Sequence, residues 1–292
     1  MRRPQLLALL AATAVSGCAA RSKNAISIGA KNFTEELVLG ELYAQLLEKN
    51  GFVVTRKFDL GGTQVAMAAL RRGDIDLYPE YTGTALLSVL KAHPGPDSDA
   101  IYREVKRAYK TQFGLTWLRP APFNDTQALA TTGAVSERFN LRSLSDVAAA
   151  APRLRLGAIP EFTTREDGLP GLQKKYGGFQ FKSVRLFDIG LKYTALESGQ
   201  IDVVVAFGTD GQIAYDHLVL FVDDKHFWPS YQAAPVVRDA TLARLPAIAT
   251  HLDRLAPLLT DAVMRDLNQQ VDRLKADPAD AASGFLKAQH LA

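Results

Sequence analysis

Cysteine is almost missing from this sequence of 292 residues, which contains a single one, Cys18. A disulfide bond within the chain is therefore excluded, and burial of apolar side chains must stabilise the fold instead. Histidine is also scarce, and its positions show none of the short spacings typical of metal ligands, so we expect no metal site. The histidines are His93, His217, His226, His251 and His290.

Charge of one sign is not concentrated anywhere along the chain. The formal net charge is +3, to which Arg2 and Arg3 contribute, and no basic block or stripe follows them. Since nucleic-acid binding needs such a basic surface, we expect no nucleic-acid partner. Apolar residues make up 47% and charged residues 22% of the chain, as in an ordinary globular protein.

Long apolar runs and catalytic signatures are missing as well. Beyond the N-terminal segment, no stretch approaches the roughly 20 apolar residues that a membrane-spanning helix needs. The chain has no G-x-S-x-G string, no Walker loop and no dinucleotide-binding fingerprint. We therefore expect no cofactor and no enzymatic activity.

The N-terminus has the pattern of an export signal. The chain begins with basic residues and continues with an apolar segment from Leu6 to Val15. This segment ends in Val15-Ser16-Gly17-Cys18, which resembles a bacterial lipobox. We predict a signal peptide over 1–17, acylation of Cys18 and a tether over 18–25. The protein would then be an exported, membrane-anchored lipoprotein facing the periplasm or the cell exterior. The alternative is an ordinary signal peptide in which the cysteine has no role.

Short strings from the first half of the chain recur in the second half, in the same order. The recurrences pair Ile28-Gly29-Ala30 with Leu156-Gly157-Ala158, Phe33-Thr34 with Phe162-Thr163, Phe58-Asp59-Leu60-Gly61 with Phe187-Asp188-Ile189-Gly190, and the pattern around Gly73-x-Ile75-Asp76 with that around Gly199-x-Ile201-Asp202. This duplication predicts an α/β protein of two lobes, each a mainly parallel sheet flanked by helices.

Two changes in local sequence composition mark the boundaries between the lobes. Prolines and an Asn-Asp pair near residues 120–126 indicate a first crossover, and a second follows the strand near Leu220. We predict lobe 1 over 26–123 and 225–292, and lobe 2 over 124–224. The crossovers would form a hinge beside a cleft, and the helical C-terminal tail should pack on lobe 1.

The stretch 69–84 carries the clearest local signal. Gly73 predicts the end of a helix, because glycine takes the left-handed C-cap conformation without strain. A buried strand from Ile75 to Tyr78 should follow, stopped by Pro79. The chain then reaches Tyr81 beyond the carboxyl end of the strand, which is the edge where open α/β sheets bind ligands.

Aromatic residues recur at this edge. Phe207 follows Gly199 at the same distance as Tyr81 follows Gly73, and Tyr231 lies just after the second crossover. Rings that converge in a cleft can hold a quaternary ammonium by cation–π attraction. The alternative is that these aromatics are simply part of the core.

Asp76 and Asp202 occupy equivalent places in the two halves. Paired carboxylates are also a signature of acid–base catalysis. Because each lies inside an equivalent predicted strand, however, we expect them to accept capping or turn hydrogen bonds and not to act as a catalytic acid and base.

Three strings resemble a known family: Lys31-Asn32-Phe33-Thr34-Glu35, Leu60-Gly61-Gly62-Thr63, and the run from Asp74 to Thr84 that includes Tyr-Pro-Glu-Tyr-Thr-Gly-Thr. They are similar to the substrate-binding proteins of osmoprotectant ABC transporters, which take up glycine betaine, choline and carnitine. The resemblance implies a periplasmic-binding-protein fold of type II, in which two lobes close on a ligand. It also implies an ABC permease with its ATPase as partner. We expect a monomer.

The resemblance further implies site residues. In relatives a cage of tyrosines surrounds the cation, and polar groups hold the carboxylate. Tyr81 and Tyr231 match two cage positions, and Thr84 matches a carboxylate-contacting position.

Three other positions depart from the family. Gln127 stands where relatives have tyrosine, which removes one aromatic wall, whereas Phe207 replaces tyrosine but keeps the ring face. Glu36 stands where we expect glutamine, and its carboxylate would favour a cation but repel a ligand carboxylate. Choline, a larger betaine or a cationic metabolite such as ergothioneine therefore competes with glycine betaine as the expected ligand.

The sequence thus predicts an extracytoplasmic solute-binding lipoprotein that captures a quaternary-ammonium compound and delivers it to an ABC permease. Two other classes stay open. One is a periplasmic enzyme of the same fold, such as a dehydratase, with Glu36 as its candidate acid. The other is a sensor or chaperone module without transport.

Overall fold

The computed structural model describes residues 23–92 and 97–291. The predicted signal peptide, Cys18 and the first part of the tether lie outside the described residues. Ala25, the last residue of the predicted tether, already belongs to the first strand. The strands are β1 (Ala25–Gly29), β2 (Val53–Lys57), β3 (Leu77–Tyr81), β4 (Leu115–Trp117), β5 (Gln127–Thr131), β6 (Arg155–Ala158), β7 (Ser183–Leu186), β8 (Val203–Phe207), β9 (Val219–Leu220) and β10 (Ala233–Arg238).

Helices alternate with these strands and often begin at a residue whose side chain caps the first turn. Thr132 and Ser143 each accept a backbone hydrogen bond in this way. Gly73 ends the second helix in the left-handed conformation, as predicted, at φ 81°. The helices are α1 (Thr34–Lys49), α2 (Thr63–Arg72), α3 (Thr82–Thr84), α4 (Ser98–Phe113), α5 (Gly133–Phe139), α6 (Leu144–Ala150), α7 (Leu169–Tyr176), α8 (Lys192–Glu197), α9 (Gly211–Tyr215), α10 (Asp239–Arg244), α11 (Ala247–Leu255), α12 (Asp261–Asp272) and α13 (Pro278–Ala288).

Lobe 1 is built around a five-stranded sheet in the order β2-β1-β3-β10-β4. β1 pairs in parallel with β2 and β3, whereas β10 is antiparallel to both β3 and β4. The returning end of the chain therefore completes the first sheet. The prediction of a mainly parallel sheet is confirmed, with one antiparallel strand.

Lobe 2 repeats this plan in the order β7-β6-β8-β5-β9. β6 is parallel to β7 and β8, and β5 is antiparallel to β8 and β9. In each lobe the antiparallel strand is the first one after a crossover between lobes. The predicted lobe boundaries at 123/124 and 224/225 fall inside these two crossovers, and their exact positions stay a prediction.

Pro79 does not end its strand, so that part of the sequence prediction is wrong. β3 continues through it to Tyr81, with Pro79 opposite Pro235 of β10. The carbonyl of Pro235 accepts from Leu118 on the other side, so the proline pair does not exchange ladder hydrogen bonds. A proline is tolerated in a strand where no donor is needed.

The repeated glycines have a packing role in both lobes. A Cβ on Gly29 would lie 2.5 Å from Cδ1 of Ile75, and a Cβ on Gly157 would lie 2.2 Å from Cδ1 of Ile201. The isoleucine that follows each helix therefore packs directly on a strand backbone, that of β1 in lobe 1 and that of β6 in lobe 2. The same close contact explains why the two halves share a glycine and a later isoleucine.

Asp76 and Asp202 bind the neighbouring strand. Asp76 accepts from the backbone N–H of Ser27 at 2.8 Å, and Asp202 accepts from that of Arg155 at 2.8 Å. Asp76 also accepts from the hydroxyl of Thr241. The two carboxylates thus have equivalent structural roles, as predicted, but they bind a neighbouring strand instead of a helix cap or a turn.

Both faces of each sheet are covered. In β3, Leu77 packs in one core cluster and its neighbour Tyr78 in another, because successive strand residues point to opposite faces. The C-terminal helices contribute Leu252 and Leu286 to the cluster that contains Leu77, so the tail packs on lobe 1 as expected. Among the described residues, no helix combines the length and apolar character needed to cross a membrane.

Candidate functional site

A cavity of about 420 Å³ lies between the two lobes. This volume falls in the range of about 300–1,000 Å³ that is usual for small-molecule pockets. Its walls come from the segments that follow β1, β2, β3, β6, β7 and β8, so it occupies the carboxyl edge of both sheets. It is lined by five of the predicted site residues, namely Tyr81, Thr84, Gln127, Phe207 and Tyr231.

Tyr81 is the last residue of β3 and is held from several sides. Its hydroxyl donates to Glu35 at 2.8 Å, and its ring stacks on that of Phe33 with centroids 6.2 Å apart. The Nζ atom of Lys31 lies 4.6 Å from the ring centroid. Thr84 follows one helical turn later and is also buried.

Tyr231 and Gln127 meet at Asp167, a residue of lobe 2. The hydroxyl of Tyr231 donates to the Asp167 carboxylate at 2.6 Å, and the amide of Gln127 donates to it at 2.7 Å. A Cβ on Gly83 would lie 2.7 Å from the ring of Tyr231, so this ring packs directly on a backbone without a side chain. The polar wall that Gln127 adds is thus fixed by a buried carboxylate.

Phe207 ends β8 at the place equivalent to Tyr81. The Nζ atom of Lys192 lies 4.4 Å from its ring centroid, and Lys192 also pairs with Asp210 at 3.1 Å. Lys192 lines a smaller neighbouring cavity and not the main one. Its ammonium therefore approaches Phe207 from the side of the smaller cavity.

The aromatic side chains satisfy both interpretations of the sequence. Tyr81 and Tyr231 are 3% and 2% exposed and belong to the core cluster of lobe 1, yet each also forms part of the cavity wall. Core packing holds the rings rigidly, which is what a preorganised binding site needs.

Glu36 is the predicted site residue that does not line the cavity. It is fully buried behind Lys31, and its carboxylate accepts from the Lys31 backbone at 3.0 Å and pairs with the ammonium at 3.3 Å. Burial raises the pKa of Glu36 to about 8, even though Lys31 works against this shift. Its position supports a role in holding Lys31 and not the direct ligand contact that we expected.

The sequence prediction missed two basic residues that line the cavity, Lys31 and Arg165. Lys31 follows β1 directly, and its Nζ lies 2.9 Å from a carboxylate oxygen of Glu80. Arg165 binds Asp167 through its guanidinium, with Nε 2.7 Å from an oxygen of that carboxylate. Lys31 lies in one of the strings quoted for the family resemblance, and for both residues the available signal was a position after a parallel strand.

Two acids beside Lys31 oppose the effect of burial on its charge. Burial alone would lower the pKa of Lys31, but Glu36 and Glu80 outweigh burial and raise it. The pKa of Glu35 rises to about 7, chiefly through burial, although hydrogen bonds from Asn268 and Tyr81 partly offset this. The cavity therefore has a charged ammonium in its wall and a titrating acid behind its first ring.

A two-lobed α/β protein with a small-molecule cavity at the carboxyl edges of both sheets is a solute-binding protein by fold and site. This chain belongs to the OpuAC family, described as the substrate binding domain of ABC-type glycine betaine transport systems, whose model matches residues 24–288. Membership of a family of substrate-binding domains confirms that it is a binding protein and not an enzyme.

Individual relatives agree with this membership. A glycine-betaine-binding protein of Pseudomonas aeruginosa is 38% identical over 276 residues, covering 91% of this chain and 88% of that protein. The ergothioneine transport permease and binding protein EgtU of Helicobacter pylori is 37% identical over 261 residues; the match covers 89% of this chain but spans 47% of that longer protein. A crystal structure described as a glycine betaine/carnitine/choline ABC transporter superposes with a TM-score of 0.76 at 31% identity, over 91% of this chain and 99% of that one.

Proposed function

We propose that this protein captures a quaternary-ammonium betaine in the cleft between its lobes and delivers it to an ABC permease. The observation that carries the proposal is the convergence of Tyr81, Phe207 and Tyr231 on one cavity. These rings come from the ends of two different sheets and from a crossover. A trimethylammonium group has no N–H donor, so ring faces bind it better than hydrogen-bond acceptors do.

The same cavity offers groups for the other end of a betaine. Lys31 and Arg165 line it and can hold a carboxylate, since charge-assisted hydrogen bonds to such groups are the strong ones. A ligand with a cation at one end and a carboxylate at the other uses both walls. This favours zwitterionic betaines over choline, which has no carboxylate.

The names of relatives support the class of ligand. Beside the glycine-betaine-binding and ergothioneine-binding proteins, a relative in Listeria monocytogenes that is 31% identical is named a carnitine transport binding protein. All three compounds combine a trimethylammonium group with a carboxylate. What differs among them is the substituent that links or flanks those two groups.

Closure follows from where the contacts lie. Tyr81 and Lys31 belong to lobe 1, and Phe207 and Arg165 to lobe 2, so one ligand can touch all four only when the lobes are together. A ligand shifts a conformational equilibrium by its difference in affinity for the two states. Binding would therefore favour the closed form, which the permease receives.

Calorimetry on the purified protein tests this proposal with glycine betaine, carnitine, ergothioneine and choline. We expect at least one zwitterion to bind in the micromolar range and choline to bind at least about ten-fold more weakly. If none of the four binds below millimolar concentration, the proposed function is wrong.

Tyr231→Ala should weaken binding of the preferred zwitterion by about ten-fold, because it removes a ring face and the hydroxyl that orients Asp167. Tyr102→Ala is the matched control, since Tyr102 is half-buried in lobe 1 and outside the cavity. Equal losses of affinity in the two variants would contradict the role of Tyr231.

We also propose that Cys18 carries the lipid anchor and that the mature protein is a monomer. The lipobox string supports the first statement. Mass spectrometry of the protein purified from membranes should show an acylated N-terminal Cys18, and Cys18→Ser should release the protein from membranes. Light scattering of the released protein should give the mass of one chain, and a dimer would contradict the second statement.

A further inference from the structure

A second cavity of about 180 Å³ adjoins the main one and has no part in the function proposed so far. The two cavities share Asn32, Phe33, Asp125 and Phe207 as wall residues. A ligand seated in the main cavity therefore lies next to the second cavity. This arrangement makes the second cavity a place for part of the same ligand.

Both lobes build the second cavity, and carboxylates dominate it. Glu35 and Asp272 come from lobe 1, Asp210 comes from lobe 2, and Asp125 belongs to the first crossover. Against these four acids the cavity wall contains one ammonium, that of Lys192, which pairs with Asp210. The surplus of acids means that the walls offer mainly hydrogen-bond acceptors.

Two buried amide oxygens add to this surplus. Gln212 and Asn268 line the cavity and are 7% and 3% exposed, and within the described residues neither Oε1 of Gln212 nor Oδ1 of Asn268 has a hydrogen-bond partner. The amide nitrogen of Asn268 is used, because it donates to Glu35 at 2.9 Å and to the carbonyl of Thr209 at 3.0 Å. A buried acceptor without a partner is costly, so these oxygens point to a guest that donates.

The pKa shifts of two acids agree with a cavity that binds a hydrogen-bond donor. Burial raises the pKa of Asp125 well above its ordinary range, with repulsion from Glu35 and Asp210 adding to the shift, and burial also raises the pKa of Asp272. Burial therefore disfavours the charged form of Asp125 and Asp272, and an N–H donor placed beside them would favour it. Among the described residues, no group of three or more His, Cys, Asp or Glu side chains is placed to hold a metal ion.

We propose that the second cavity is a subsite for a nitrogen-bearing substituent of a larger betaine, such as an imidazole ring, whose N–H groups donate to its carboxylates and orphan amide oxygens. The trimethylammonium and carboxylate groups of that ligand remain in the main cavity, so this inference rests on the proposed function. It narrows the ligand class to betaines of amino acids with N–H donors in their side chains.

The first test compares two ligands of similar size. The N-trimethyl betaine of histidine and that of phenylalanine share the charged groups, but only the histidine derivative has a ring N–H. We expect calorimetry at pH 7 to show the histidine betaine binding at least about ten-fold more tightly than the phenylalanine betaine and than glycine betaine. Equal affinity for the two ring compounds, or tighter binding of glycine betaine, overturns the inference and leaves the proposed function standing.

The second test changes the subsite from each lobe separately. Asp272→Asn in lobe 1 and Gln212→Met in lobe 2 keep side-chain size but remove an acceptor that lines the second cavity only. Each substitution should weaken binding of the histidine betaine by about ten-fold and change the affinity for glycine betaine by less than about two-fold. Asp266→Asn is the matched control, because Asp266 is an exposed acid on the same helix as Asp272.

The outcomes separate the two levels of the proposal. If the variants weaken both ligands equally, or neither ligand, the second cavity is not a ligand subsite. Thermal unfolding of each variant without ligand shows whether it is folded. Because Gln212 hydrogen-bonds to Asp272, the two variants test one connected pair of acceptors from both lobes. If no betaine binds the wild-type protein at all, the proposed function fails and this inference fails with it.

Discussion

The central strand of each lobe ends in an aromatic ring that faces a lysine ammonium. In lobe 1 the Nζ atom of Lys31 lies 4.6 Å from the centroid of Tyr81, and in lobe 2 that of Lys192 lies 4.4 Å from the centroid of Phe207. The lysines come from different places, the loop after β1 and the start of α8. The duplicated lobes thus reach a similar pairing of ring and cation by different routes.

The surroundings of the two lysines differ more than the distances do. Lys31 lies between Glu36 and Glu80, whose side chains are fully buried, and it lines the main cavity. Lys192 pairs with Asp210, whose side chain is 21% exposed, and it lines the second cavity. The two pairs of ring and lysine therefore have different neighbours, and the acid beside Lys192 is less desolvated than the two beside Lys31, which a shared plan does not determine.

The largest expected effect comes from removing each ammonium in turn. Lys31→Met should lower the free energy of unfolding by about 3–5 kcal/mol, because Glu36 and Glu80 would stay buried without their cation. Lys192→Met should cost no more than about 2 kcal/mol, because water reaches Asp210. Denaturant unfolding of both variants measures the difference, and equal losses would show that the two pairs are energetically alike.

Ionisation of Glu35 in lobe 1 should have a smaller effect on the free energy of unfolding. Folding raises the pKa of Glu35 from 4.5 to about 7, chiefly through burial, so the folded state holds this proton more tightly than the unfolded state. Its contribution to stability is present below pH 4.5 and is lost as pH rises through 7. Glu35→Gln should therefore reduce the loss of stability between pH 5 and 8 by about 2 kcal/mol.

Denaturant unfolding at several pH values checks this prediction. The exposed Glu137→Gln is the control and should follow the wild-type profile. A Glu35→Gln profile parallel to that of the wild type would mean that Glu35 ionises at its ordinary pKa in the folded protein.

The smallest effect tests the packing that the lobes share. Gly157→Ala should destabilise the protein by about 1 kcal/mol, because the new Cβ would overlap Cδ1 of Ile201. Adding Ile201→Val removes that methyl group and should recover part of the loss. The pair Gly29→Ala and Ile75→Val should behave in the same way in lobe 1, and a recovery in one lobe alone would show that the repeat is not equivalent in its packing.

Much of the fold could be predicted from local patterns. Gly73 and Gly199 mark equivalent helix ends, and the Ile-Asp pairs after them make equivalent contacts with β1 in lobe 1 and β6 in lobe 2. Pro79 shows the limit of such patterns. A proline predicts a strand end from local chemistry, but its pairing with Pro235, far away in sequence, leaves no missing hydrogen bond.

The residues of the candidate site also differ in whether the sequence could predict them. Tyr81 and Phe207 could be predicted because they end parallel strands, and position along a strand is a local property. Lys31 could not be predicted as a site residue, because a lysine is usually expected at the protein surface. Its burial depends on Glu80, which β3 brings beside it. Glu36 was expected to touch the ligand, but in the structure Lys31 lies between Glu36 and the cavity. The sequence does not show this arrangement.

The sequence by itself determined a duplicated α/β plan, with aromatic rings at the carboxyl ends of equivalent strands, because glycine conformations and alternating apolar residues act over a few neighbouring positions. The tertiary structure alone decided which charges are buried, which acids have raised pKa values and where one cavity adjoins the next. Those properties depend on side chains from both lobes: only folding brings Asn268 within 2.9 Å of Glu35 and lets Asp210 of lobe 2 repel the Glu35 carboxylate.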